Sequence, residues 1–292
     1  MSKFLGYRCS LCGQEYGPDE VVYLCPKDGG VLDVTFEYSK IKASSRPGDL
    51  QASTDFSIWR YLPLLPVSNP AFLGTPLRAV GWTPLYTPQK LARKLNLRQL
   101  WIKDESCNPT ASFKDRASAV VVARAREIGA KLVVTASTGN AGAALAGMAA
   151  AAELSAVIFA PKTAPPAKVA QLLIYGAKVL LVDGTYDDAV ELSRQAADEF
   201  GWYCRNTGYN PFTAEGKKTA ALEIWEQVLL ATKLDRPLCV FVSVGDGNII
   251  SGIHKGFKDL LQLGWLDQMP RIFGVQAEGS AAIANAFEAG NE

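Results

Sequence analysis

The chain holds a single histidine, His254, in 292 residues. It lies in a segment of helical pattern, so a Ser-His-Asp hydrolase is disfavoured and His254 reads as a packing or surface residue. No block of like charge occurs, and 30 basic residues are balanced by 29 acidic ones. Nothing therefore points to nucleic acid or an anionic membrane as a partner. The opening Met1-Ser2-Lys3-Phe4 lacks the apolar run of a signal peptide. The longest apolar stretch, Ala141 to Ala152, stops at Glu153 and is too short to span a bilayer. We expect a cytoplasmic protein. The six cysteines are uneven, with three in the first 25 residues. That distribution fits a reducing compartment and a local metal site better than a disulfide framework.

What the chain does have is material for a sizeable core. Hydrophobic residues make up 48% of a length that implies two domains or one large one. From position 113 onward the pattern is regular. Helices are predicted over 113–128, 141–152, 166–175, 186–200, 216–230 and 248–263. Apolar strands are predicted over 132–136, 156–160, 178–182, 202–205, 238–244 and 272–276. Strands alternating with helices, apolar on both sides, imply parallel sheets covered on both faces. Ligands in such sheets bind beyond the carboxyl ends of the strands. Residues 35–75 carry proline, serine and aromatics but no long period. They read as an extended arm with a short helix near Ser57 to Tyr61, and a further short helix is expected over Gln89 to Leu95.

Cys9-x-x-Cys12 is followed after twelve residues by Cys25-Pro26-Lys27-Asp28-Gly29-Gly30. Two facing thiolate turns make a tetrahedral zinc site, and carboxylate also ligates zinc. Cys9, Cys12, Cys25 and Asp28 are therefore candidate ligands. The alternative is a small β hairpin that holds no metal. The spacing resembles a zinc ribbon in which Asp28 stands at the fourth ligand position.

The stretch from Lys103 to Arg116 leaves the apolar run Leu100-Trp101-Ile102, breaks at Asn108-Pro109, and enters a helix behind the N-cap candidate Ser112. Lys114 then sits in a first helical turn, where the helix dipole disfavours a cation. A partly desolvated lysine near other positive charge loses basicity and becomes a good Schiff-base nucleophile. Taken alone, Lys114 would read better as a solvated surface residue. Ser137-Thr138-Gly139-Asn140 joins a strand to a helix, a place where backbone amides bind anions such as an α-carboxylate. Ser243-Val244-Gly245-Asp246-Gly247-Asn248-Ile249 is another strand-to-helix loop, with glycines that let amides approach a phosphate. It is not a dinucleotide fingerprint, since Ile250 holds the third glycine position. Glu215-Gly216-Lys217-Lys218-Thr219 is not a P-loop, since Pro211 stands where its first glycine should be.

Asn108-Pro109-Thr110-Ala111-Ser112-Phe113-Lys114-Asp115-Arg116 resembles the lysine motif of fold-type II pyridoxal-phosphate (PLP) enzymes, and within them the threonine synthase family most. Gly81-Trp82-Thr83-Pro84-Leu85, the 137–140 loop, Gly184 to Ala189 and Glu215 to Thr219 extend the likeness over roughly residues 80–280. N-terminal ribbons are also frequent in that family. The resemblance implies an α/β, tryptophan synthase β-like fold of two domains with parallel sheets. The segments would be a ribbon-like 1–34, an arm and start of the large domain at 35–104, a small domain at 105–215, and an incomplete large domain at 216–292. It implies Lys114 as the PLP-binding and catalytic lysine. Asn140 would contact the cofactor, and Gly245, Asp246, Gly247, Asn248 and Ile249 would cradle its phosphate. Asp246 would contribute its backbone N–H. Ser137, Thr138 and Gly139 would take the carboxylate of a small amino-acid substrate. For that substrate's phosphate the candidates are Lys103, Arg116 and Lys217.

The implied reaction converts O-phosphohomoserine and water to L-threonine and phosphate in a homodimeric lyase, with zinc as a second candidate cofactor. Rival readings on the same scaffold are a threonine or serine dehydratase, diaminopropionate ammonia-lyase or cysteate synthase, and a non-catalytic binding relative. Relatives continue for several further elements, including a Ser or Thr that meets the pyridine nitrogen. This chain stops at Gly290-Asn291-Glu292 in a segment of helical pattern, so we expect the C-terminal part to be missing or replaced by another segment.

Overall fold

The computed structural model describes residues 3–234 and 236–290. Met1 and Ser2, and the chain end at Asn291 and Glu292, lie outside them. The fold is α/β. Its main sheet is four parallel strands in the order Lys178–Val182, Ser155–Pro161, Leu132–Ala136, Tyr203–Cys204. A second parallel pair joins Cys239–Ser243 to Arg271–Val275. Parallel strands need crossover helices, and the chain supplies them as Asn140–Ala151, Pro166–Ile174, Tyr186–Phe200 and Asn248–Leu263. No described helix is long and apolar enough to cross a membrane.

The second parallel pair departs from expectation. Phe241 and Phe273 stack with ring centroids 5.0 Å apart, yet Phe241 is 69% exposed. One face of this pair is therefore uncovered among the described residues. The arm also differs from a plain extended segment, since it folds into Tyr38–Ser44 and Pro47–Gln51 before the short 3-10 helix Ile58–Leu64. These helices are too brief to show a sequence period.

At the N-terminus, Glu15–Tyr16, Phe4–Cys9 and Leu32–Phe36 form an antiparallel sheet in that order. Buried polar groups tie it to the body. Lys255 Nζ donates to Val34 O at 2.9 Å, and Tyr38 OH donates to Asp259 Oδ1 at 2.7 Å.

The helix Phe212–Ile224 runs through the interior and passes into a π turn, Trp225–Leu229. Its two flanking helices approach it by backbone. A Cβ on Gly216 would lie 2.1 Å from Arg116 O in the helix Lys114–Glu127. Cβ atoms on Gly252 and Gly256 would lie 2.7 Å from Lys217 Cβ and 2.5 Å from Lys218 O. Only glycine permits such approach.

Candidate active site

The loop before Lys114 is held by its own polar residues. Asn108 Oδ1 accepts from Gly81 N at 3.0 Å, while its amide nitrogen donates to Glu105. Asp115 reaches back to accept from Thr110 N at 2.6 Å and from the Thr110 hydroxyl. Ser112 Oγ accepts from Lys114 N at 3.2 Å, but Phe113 rather than Ser112 occupies the N-cap position. The helix Lys114–Glu127 begins one residue later than expected.

Arg116 is fully buried and does structural work. It donates to Glu105 Oε2 at 2.7 Å and to Glu223 Oε1 at 2.5 Å, with further bonds to Thr219 and Thr83. Lys103 Nζ completes the network at 2.6 Å from Glu223 Oε2 and 2.6 Å from Thr83 O. Neither is available to a substrate, so Lys103 and Arg116 are withdrawn as phosphate ligands. Burial alone would raise the Glu223 carboxyl, but Arg116 and Lys103 hold it down at about 2.

Lys114 is left with a different environment. Its side chain is half-buried, and among the described residues its amine makes no hydrogen bond or ion pair. Burial lowers its pKa, Arg205 lowers it further, and Asp246 opposes both. The 245–248 turn is therefore within electrostatic reach of this amine. Gly247 has φ +77°, a conformation that fits glycine, and it places Asn248 at the start of Asn248–Leu263. Asp246 Oδ1 accepts from Asn248 N at 3.1 Å, so the carboxylate lies on the helix N-terminus. Val244, Gly245 and Ile249 complete that strand-to-helix connection.

The 137–140 loop is less simple than expected. Ser137 Oγ accepts from Gly139 N at 3.1 Å and from Gly142 N at 2.9 Å, so it caps the helix Asn140–Ala151. Among the described residues, the Thr138, Asn140 and Ala141 amides are the donors that this cap leaves open. Asn140 Oδ1 accepts from Lys168 Nζ at 3.1 Å rather than turning to Lys114.

Two residues absent from the sequence-derived roles join the Lys114 surroundings. Arg205 follows Tyr203–Cys204 at the carboxyl end of the main sheet and is 1% exposed. Tyr186 starts the helix Tyr186–Phe200 and lies in the field of Arg205 and Asp246. The signal for Arg205 was a cation ending a predicted parallel strand, where ligands bind. Lys217 also lies here, with its amine bonded to Asn248 Oδ1. Burial, then Arg205 and Lys114, lower its pKa to about 6 against the pull of Asp246.

Lys114, Arg205 and Lys217 are three basic side chains gathered around one carboxylate, beside a glycine loop that opens a helix. Among the described residues, Arg205 Nη2 is buried without an acceptor. This donor set suits an anionic, phosphorylated aldehyde: an unpartnered amine for its carbonyl, and loop amides with basic groups for its phosphate.

Away from this cluster, the Cys9, Cys12 and Cys25 sulfurs and an Asp28 oxygen all lie within 4.8 Å of one another. Cys12 and Cys25 sulfurs are 3.8 Å apart, and Cys9 Sγ lies 3.3 Å from Asp28 Oδ1. Gly30 N donates to Asp28 Oδ1 at 2.9 Å and fixes that carboxylate. His254 is exposed on its helix, and the cluster at Lys114 does not include it.

Residues 77–292 match the family of pyridoxal-phosphate dependent enzymes. The threonine synthase of Methanocaldococcus jannaschii is 39% identical over 281 residues, which is 96% of this chain and 67% of that protein. The threonine synthase of Methanosarcina acetivorans is 40% identical over 285 residues, again covering 67% of its length. Among solved structures, threonine deaminase isoform 2 of Solanum lycopersicum superposes with a TM-score of 0.62 at 26% identity, over 80% of this chain and 60% of that one. The chain thus spans about two thirds of the length of these curated relatives and less of the solved one. With the α/β fold, the motif loops and these likenesses together, the chain belongs to the fold-type II pyridoxal-phosphate dependent enzymes, in the threonine synthase family.

Proposed function

We propose that the site converts O-phosphohomoserine and water to L-threonine and phosphate. The observation that carries this reading is the Lys114 amine, in a first helical turn, without a hydrogen bond or ion pair among the described residues and lowered in basicity beside Arg205 and Asp246. Lys114 would hold the cofactor carbonyl, and backbone amides of Gly245, Asp246, Gly247, Asn248 and Ile249 would hold its phosphate. Asn140 would contact the ring oxygen after exchanging its bond to Lys168. Pyridoxal phosphate, when bound, supplies an electron sink for the electrons left as the α-proton departs.

Lys114 then carries the proton. Its lowered basicity keeps more of the amine neutral near pH 7, as a general base requires. The open amides of Thr138, Asn140 and Ala141 would orient the substrate carboxylate, with Ser137 shaping the turn and Gly139 leaving room for it. In the same proposal the chain divides at 34, 104 and 215, and works as a cytoplasmic homodimer. The likeness to a threonine deaminase supports a dehydratase as the second reading. Product analysis separates the two. We expect phosphate and threonine from O-phosphohomoserine. Ketobutyrate from threonine, without phosphate release from O-phosphohomoserine, would establish the dehydratase instead.

Cys9, Cys12, Cys25 and Asp28 we propose as a zinc site. Zinc–sulfur bonds of about 2.3 Å set tetrahedral sulfurs about 3.8 Å apart, the separation found for Cys12 and Cys25. We expect purified protein to carry about one zinc ion per chain, and Cys25→Ala to lose it. A Cys25→Ala variant that keeps its zinc, or wild type that never takes any up, would show the ribbon stands without metal. Metal content by mass spectrometry under native conditions decides between them.

A further inference from the structure

Arg205 and Lys217 are buried basic side chains to which the site as described above gives no individual role. Arg205 Nε donates to Ser118 Oγ at 3.3 Å and Nη1 to Thr207 Oγ1 at 2.7 Å. Its remaining nitrogen, Nη2, is buried with no acceptor among the described residues. Ser118 lies one helical turn beyond Lys114, so the guanidinium runs along the helix face that carries that amine. The other fully or nearly buried arginines meet carboxylates, Arg60 at Glu226 and Arg116 at Glu223 and Glu105. Lys217 shows the same contrast. Its neighbour Lys218 pairs with Glu215 and Asp259, whereas among the described residues the Lys217 amine meets only the neutral Asn248 oxygen. Leaving the charged Arg205 donor buried without an anion is costly, burial drives Lys217 towards its neutral form, and an external anion would stabilise both.

The two side chains come from different elements, the end of a main-sheet strand and the central helix, and both lie in the field of Asp246. Asp246 is a carboxylate already engaged with Asn248 N. We propose that Arg205 and Lys217 form a seat for a phosphomonoester dianion. A planar guanidinium with one open edge and a lysine point charge together suit phosphate geometry. The inference rests on the reading of this site as a pyridoxal-phosphate site. Two sources offer the same chemistry, the cofactor's phosphate and the substrate's phosphate at its γ-carbon.

The test uses the full chain and paired probes that differ only in phosphate: O-phospho-L-homoserine against L-homoserine, and pyridoxal phosphate against pyridoxal. Lys217→Met and Arg205→Met are compared with wild type by calorimetry and absorbance, with circular dichroism to confirm folding. Each variant should lose at least about tenfold in affinity for one phosphorylated probe, the size of a charge-assisted bond. Its dephosphorylated partner should change little. Loss confined to O-phospho-L-homoserine assigns the seat to the substrate, and loss confined to pyridoxal phosphate assigns it to the cofactor. Equal changes for both members of each pair would overturn the seat. Wild type that binds neither pyridoxal form would instead remove the cofactor reading beneath it.

A proton count adds a readout that a packing role would not move. Lys217, buried and facing Arg205 and Lys114 with Asp246 opposing, is mostly neutral near pH 7. A dianion would protonate it, so binding in buffers of differing ionisation enthalpy should register uptake of about one proton. That uptake should vanish in Lys217→Met, and its persistence there would remove Lys217 from the seat.

Discussion

Lys114→Ala should fold, bind pyridoxal phosphate only reversibly, and lose turnover by about a thousandfold or more, within the range for removing a catalytic acid–base group. No cost to stability is expected, because the amine has no hydrogen bond or ion pair to lose among the described residues. Borohydride reduction followed by peptide mapping supplies the direct check. Wild type should carry a stable pyridoxyl group on the peptide containing Lys114, and the variant should carry none. The arrangement offers one serious competitor. Lys217 is more buried than Lys114 and less basic than an ordinary lysine, at about 6. A pyridoxyl group mapped to Lys217, persisting in Lys114→Ala, would reverse the assignment of the two amines.

The largest effect on stability should come from Arg116→Met. Arg116 and Glu223 are both wholly buried, and Lys103 and Glu105 complete their network. Removing the arginine leaves Glu223 with Lys103 and the Trp82 and Thr83 amides, a loss of about 3–5 kcal/mol for a broken buried pair. Thermal or urea unfolding should register it as a large fall in midpoint. Arg116→Met combined with Glu223→Gln should be less destabilised than Arg116→Met alone, since the stranded charge carries much of the cost. A midpoint for Arg116→Met close to wild type would show that the network does not hold the fold. The pH dependence has a defined sign. Glu223 is held at about 2, below its unfolded value. Its contribution is therefore complete above the ordinary carboxylate pKa and is lost as pH falls towards 2. The gap between wild type and Arg116→Met should narrow over that acid range.

Much of this architecture was legible in the chain. The strands Leu132–Ala136 and Lys178–Val182 and the helices Tyr186–Phe200 and Asn248–Leu263 lie at their predicted bounds. In each, an apolar pattern ends at a glycine or a polar cap, so the local signal and the tertiary environment agree. The central helix was harder. It starts at Phe212 rather than Gly216, and nearly every side is buried, with Glu215, Lys217, Lys218 and Glu223 inside. Charges on a helix are read as solvent-facing, so ion pairing across the interior hides both its start and its depth. The same cause misled the choice of phosphate ligands. Lys103 and Arg116 stand in a motif that touches the site, but their partner Glu223 lies more than a hundred positions further along the chain. For Arg205 the signal is weak, since a single cation closing a short strand marks a ligand-binding end without specifying a role. At Ser137 the residue type was right for an anion loop, yet its hydroxyl serves the helix start and leaves neighbouring amides open.

The glycine contacts on either side of the central helix bear on how the site moves. At Gly216, Gly252 and Gly256 three helices meet with almost nothing between their main chains. Lys114 begins one outer helix, Asn248 begins the other, and Lys217 sits on the helix between them. Such joints act as rigid spacers, because atoms already in contact cannot be pushed closer. The separation between the amine, the glycine loop and Lys217 is thereby set by backbone thickness rather than by adjustable side chains. Substrate entry is then expected to be accommodated by the loops at the carboxyl ends of the strands, with the three-helix block as the fixed frame.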